Sequence, residues 1–218
     1  MAWLRSSIHR VSLYFGRAAA RLVGRESPWD AITIRVPPGA FGPGSRRPFA
    51  DYFKGKSSVC VHSLDDIVEW LQGCEYAADS ELFHERDVWQ HPGAFERGRR
   101  GDCEDFALWA WRKLAEIGVD AEFCVGRLIA AGDRPEINRQ HAWVVYRLDN
   151  IEFLFEPAAR IRSSMIRPLA DVVDDYVPHF AVNHRFDTRA FAGCLNAKAA
   201  KSAKTFLFVA SQQKGRPV

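Results

Sequence analysis

The chain has 218 residues, 47% hydrophobic content, seven tryptophans and a net charge of +3, enough for one substantial core and too mild a charge to argue for nucleic acid. No run of about 18 apolar residues occurs, so length excludes a membrane-spanning helix. The cysteines, Cys60, Cys74, Cys103, Cys124 and Cys194, form no CxxC or CxxH pair that would hold zinc. Their odd number and the lack of a central apolar signal block lead us to expect reduced thiols in a cytoplasm.

In chain order, residues 1–26 come first and carry no acid before Glu26. Leu4, Ile8, Val11, Phe15, Ala18 and Leu22 recur in steps of four and three, an apolar helical stripe, with Arg5, His9, Arg10, Arg17 and Arg21 mostly off it. Three readings stand: a helix docked on the domain, which is the commonest case, a membrane-surface helix, or a targeting presequence. Residues 27–195 are expected to form the main folded domain and 196–218 a basic tail. Pro37 to Arg47 is rich in Pro and Gly and predicts a loop, and Ser63 to Asp66 is a capping box that opens a helix ending near Cys74.

Gly101-Asp102-Cys103-Glu104-Asp105-Phe106-Ala107 sets one cysteine behind a glycine and an acidic residue, at the head of an apolar run. Phe106, Ala107, Ala110, Leu114 and Ile117 keep helical spacing, and Gly118 is placed as a stop, which predicts a helix from Cys103 to about Glu116. With Asp102 as N-cap, the unpaired amides and the dipole of the first turn favour the Cys103 thiolate, the reactive form. The same amides could hold an oxyanion. Upstream, Trp89 and Gln90 each carry an N–H that could complete such a hole.

His141 lies 38 residues after Cys103. Gln140–Leu148 and Ile151–Pro157 are apolar runs separated by Asp149-Asn150, a turn pair, so they predict an antiparallel hairpin. If Leu148 faces Ile151, paired residue numbers sum to 299. His141 and Glu156 then share one face as diagonal neighbours. Asp149 sits roughly 26 Å from His141 along an extended strand, too far to orient it. Beyond the hairpin, a helix begun near Pro168 is expected to continue over Asp171 to Tyr176. Tyr176 to Phe186 reads as irregular or a strand, and Lys198 to Lys204 is basic with Phe206 to Val209 after it.

The Gly-Asp-Cys-Glu-Asp-Phe-Ala motif, the later His141-Ala142-Trp143-Val144, the strand closing on Glu156-Pro157 and the lead-in Trp89-Gln90-His91-Pro92 resemble bacterial transglutaminase-like cysteine peptidases, a branch of the papain-type cysteine enzymes. The likeness spans roughly Trp89 to Pro157. It implies an α+β papain-like fold with a helix-borne cysteine packed against an antiparallel sheet. It makes Cys103 the nucleophile, His141 the base and acid, and Glu156 the orienting carboxylate, where the family usually has Asp. The reaction implied is peptide or amide hydrolysis through a thioester, on a protein or peptide substrate and with no obligatory cofactor. Calcium bound by acidic residues beside the nucleophile, as in some of these peptidases, would make Glu104 and Asp105 ligands. Transamidation, or a non-catalytic binding domain of the same fold, are the alternatives.

Overall fold

The structure, a computed structural model, describes residues 27–32, 35–129 and 139–195. The expected N-terminal helix of residues 1–26 and the tail of residues 196–218 lie outside the described residues. Nine strands are present among the described residues: β1 (Ala31–Ile32), β2 (Glu75–Tyr76), β3 (Arg100–Gly101), β4 (Asp120–Leu128), β5 (Arg139–Leu148), β6 (Ile151–Phe155), β7 (Ile166–Pro168), β8 (Tyr176–Asn183) and β9 (Thr188–Phe191). The helices are α1 (Leu64–Gln72), α2 (Asp79–Leu82), α3 (Pro92–Gly98), α4 (Cys103–Glu116), α5 (Arg162–Met165) and α6 (Leu169–Val172). Seven strands form one sheet in the order β1-β9-β8-β4-β5-β6-β7. Every pairing in it is antiparallel.

α4 is the helix that the apolar spacing predicts, and Gly118 after it takes a φ of +79°, the left-handed geometry that a stop glycine supplies. Every residue from Phe106 to Leu114 is buried. The pleat explains how the sheet receives this helix. Phe123 and Val125 of β4 and Ala142, Val144 and Tyr146 of β5 join Phe106, Ala107, Ala110 and Trp111 in one core. The alternate residues Cys124, Trp143, Val145 and Leu154 enter a second core, with Tyr176, Leu169, Val172 and Phe191. Each fully buried aromatic or branched side chain contributes roughly 1.5–3 kcal/mol. Here the central strands bury both faces.

Two buried cations break the apolar rule on α4. Arg112 donates to the carbonyls of Tyr52, Lys54 and Gly55, and Lys113 to Ser57, Val59 O and Glu116. They tie the irregular 52–59 segment onto the helix. Glu96 on α3 completes this network, accepting from Ser58 N at 2.8 Å and Trp109 Nε1 at 3.0 Å as well as from Ser57. Burial alone would push its carboxyl up, but the donated hydrogen bonds outweigh that and hold it down at about 2.

α1 opens on the expected box: Ser63 Oγ accepts from Asp66 N at 3.1 Å and Asp66 Oδ2 accepts from Ser63 N at 3.0 Å. Pro37 to Arg47 contains one turn of 3-10 helix at Pro38–Ala40. The helix expected over Asp171 to Tyr176 is instead α6, which ends at Val172, and the stretch from Tyr176 becomes β8, drawn into the sheet by β4. Among the described residues no helix is long and apolar enough to cross a membrane.

Candidate functional site

The β5–β6 hairpin turns on Asp149 and Asn150, both left-handed at φ of +49° and +61°, a two-residue turn matched to strand twist. Its register runs Leu148 opposite Ile151 to Val144 opposite Phe155, each pair summing to 299. That register brings His141 to Glu156: the imidazole Nε2 lies 2.6 Å from Glu156 Oε2, with side chains 16% and 10% exposed. A carboxylate only accepts, so Nε2 carries the proton and Nδ1 is left as the free ring nitrogen. Tyr176 Oη donates to the same Oε2 at 3.1 Å. Asp149 stays at the far end of the hairpin.

Cys103 is the first residue of α4 and borders the cleft that His141 also lines, an open space of about 390 Å³ walled by Phe41, Tyr76, Trp89, Val125 and Phe180. The backbone N–H of Ala142, next to His141, favours the charged form of the Cys103 sulfur. Gly126 on β4 permits the strand packing behind the cleft, since a Cβ there would sit 2.2 Å from Val177 O.

The electrostatics differ from the helix-start expectation. Asp102 stands at the N-cap with extended backbone, yet its side chain makes no capping bond. The thiol of Cys103 is pushed well up, by burial first and then by the charges of Glu104 and Asp102, with the Ala142 N–H opposing. Glu104 accepts from Sγ at 3.1 Å. The dipole of one helix is thus outweighed by adjacent carboxylates in a buried place. Asp79 on α2 joins them. Parallel pairing of β2 with β3, continued by Ala77 N to Gly101 O at 2.8 Å, brings that short helix to the cysteine turn. Ligand oxygens of Asp79, Asp102 and Glu104 all lie within 4.8 Å of one another. Burial raises all three carboxyls. Asp79 Oδ1 and Asp102 Oδ1 are buried without a hydrogen-bond partner. Crowded, unsatisfied carboxylate oxygens suit a hard cation.

Asp105 does not join this cluster, contrary to the expectation that pairs it with Glu104 at a metal. Its Oδ1 accepts from Gln90 N at 2.8 Å and its Oδ2 from Gln90 Nε2. Gly101 leaves room for that, because a Cβ there would lie 2.4 Å from Asp105 Oδ2. The other Gln90 amide hydrogen goes to Arg100 O at 2.9 Å, so none remains for an oxyanion. Trp89 is 6% exposed, packs edge-on to Phe123 and keeps a face on the cleft. Sequence reasoning missed Asp79, Tyr176 and Arg167, for which no local motif signals a role.

A scan of family models finds no match to the chain, and a search of curated proteins finds none either. Solved structures supply the likeness. LapG of Legionella pneumophila superposes over 67% of this chain and 71% of its own with a TM-score of 0.44 at 16% identity. Its calcium-bound form covers 76% of this chain and 92% of its own, with a TM-score of 0.46 at 16% identity. The EGTA-treated form covers 70% and 72%, with a TM-score of 0.45.

Proposed function

We propose that the protein is a cysteine-dependent hydrolase of peptide or amide bonds, with Cys103 as nucleophile, His141 as general base and acid, and Glu156 as the carboxylate that orients it. The observation that carries this is the His141–Glu156 bond at 2.6 Å, made in a cleft shared with Cys103 at a helix start. Nothing in packing requires a short, buried His–carboxylate pair beside a first-turn cysteine; acyl transfer does.

The bound Nε2–H leaves Nδ1 to take the thiol proton. The thiolate attacks the carbonyl carbon, the C–N bond breaks as the imidazolium returns the proton to the departing amine, and a thioester remains. His141 then takes a proton from water, which attacks the thioester, and the acid leaves as Cys103 regains its hydrogen. With Gln90 committed elsewhere, the oxyanion donors we assign are the backbone N–H of Cys103 and the Trp89 indole.

Calcium is the cation the Asp79, Asp102 and Glu104 set fits, through carboxylate oxygens. When bound it would cancel negative charge beside the Cys103 sulfur. Those carboxylates also favour one other reading: a binding domain of the same fold, in which the raised thiol is inert. Hydrolysis of a peptide library by the native protein with calcium, and its loss in Cys103→Ala, separates the two.

A further inference from the structure

Residue Glu156 is 7% exposed, so bulk water does not set the direction of its carboxylate. Two donors reach Oε2, His141 at 2.6 Å and Tyr176 at 3.1 Å, while Oε1 is buried with no hydrogen-bond partner. The two oxygens are inequivalent, and Tyr176 helps make them so. Its own hydroxyl is directed. Arg167 Nη2 donates to the Tyr176 oxygen at 3.0 Å, with the guanidinium carbon 5.8 Å from the ring centre. A guanidinium offers no acceptor, so the phenolic hydrogen points at Glu156.

The phenol is also held in place. It is 2% exposed, meets Trp143 edge-on at 5.2 Å, and its backbone carbonyl accepts from Trp29 Nε1 at 2.9 Å. Three strands deliver the parts: Arg167 from β7 opposite Leu154 of β6, Tyr176 from the start of β8, and His141 from β5. Tyr76 on β2 also feels the Glu156 charge.

We infer that Tyr176, oriented by Arg167, is a positioning residue that fixes the Glu156 carboxylate for His141. It rests on the proposed hydrolase reading in one respect: the ring nitrogen so freed serves Cys103. Arg167 donates to Tyr176 and Tyr176 donates to Glu156 Oε2, where the His141 Nε2–H also donates, so the bonds converge on that one carboxylate oxygen. Without the phenol, Oε1 and Oε2 compete for the imidazole and the ring loses its single orientation.

The test is Tyr176→Phe, which keeps the ring and removes the hydroxyl. In ¹⁵N-histidine-labelled native protein, the His141 Nε2 proton gives an exchange-protected downfield resonance. In Tyr176→Phe that resonance weakens or is lost, and alkylation of Cys103 by iodoacetamide slows about 3- to 10-fold, the range of one hydrogen bond. In a Glu156→Gln background the same change brings no further slowing, because the residue acts through that carboxylate. Arg167→Met falls to the Tyr176→Phe level and Arg167→Lys recovers part of it. Should Tyr176→Phe not fold, Arg167→Met decides by the same resonance. A native resonance and rate in Tyr176→Phe, or equal slowing in both backgrounds, overturns the inference. An inert Cys103 in the native protein counts against the hydrolase alone, since the His141 resonance reports the positioning chain independently.

Discussion

Replacing Glu156 by Gln keeps the volume and removes the charge that faces His141 Nε2 at 2.6 Å. A hydrogen bond to a charged partner is worth about 1.5–3 kcal/mol, which at about 1.4 kcal/mol per decade is a loss of about 10- to 150-fold in any rate that needs the oriented imidazole. The amide adds a second cost. If its NH₂ turns to Nε2, the ring proton moves to Nδ1 and the nitrogen left for Cys103 is no longer a base. The assay is the second-order rate of Cys103 alkylation in calcium, mapped by peptide mass, with a thermal melt as control for folding. Asp149→Asn, at the far tip of the hairpin, should react as native. Native-rate labelling in Glu156→Gln, or a comparable loss in Asp149→Asn, refutes the assignment of the orienting carboxylate.

Three further outcomes follow from the fold. Gly126→Ala places a Cβ 2.2 Å from Val177 O and 2.8 Å from Pro178 Cα, backbone that cannot step aside, and should lower stability by roughly 2 kcal/mol or more in a denaturant titration. Glu96→Gln removes one of the two carboxylates beside buried Lys113, which keeps Glu116 at 2.8 Å, and should cost about 1.5–3 kcal/mol through the weakened hydrogen bonds to the lost charge; because the native carboxyl is held down at about 2, its contribution is present above about 4.5 and fades as pH falls toward 2, so the melting-temperature gap between the two proteins should close in acid. Burial raises the carboxyls of Asp79, Asp102 and Glu104, Glu104 to about 7 and Asp102 to about 9, so their contribution is present below the ordinary carboxylate range and is lost as pH rises through those values. Calcium should therefore raise the melting temperature more at pH 8 than at pH 5, and Asp79→Asn should blunt that gain.

Where the sequence speaks locally, it is legible. Two turn residues fix the parity of a hairpin, so the meeting of His141 with Glu156 follows from Asp149-Asn150 alone. The bounds of α4 follow from apolar spacing and a stop glycine. Contacts made by distant pairings do not show in this way. Asp79 reaches Asp102 because β2 runs parallel to β3, and Tyr176 reaches Glu156 because β8 joins the sheet beside β4. Arg112 and Lys113 are buried although charged, because partners that satisfy them sit in a segment more than 50 residues upstream. Gln90 has the chemistry of an oxyanion donor; only the fold reveals that Arg100 and Asp105 have taken its hydrogens.

The most direct measurement is peptide mapping after brief iodoacetamide exposure of the folded protein in calcium, repeated with Cys103→Ala alongside peptide-library hydrolysis. Cys103 should carry the adduct ahead of exposed Cys60 and buried Cys74, Cys124 and Cys194, and the Cys103→Ala protein should cleave nothing that the native protein cleaves. Labelling of Cys60 with Cys103 untouched, or hydrolysis that survives Cys103→Ala, would contradict a nucleophilic Cys103.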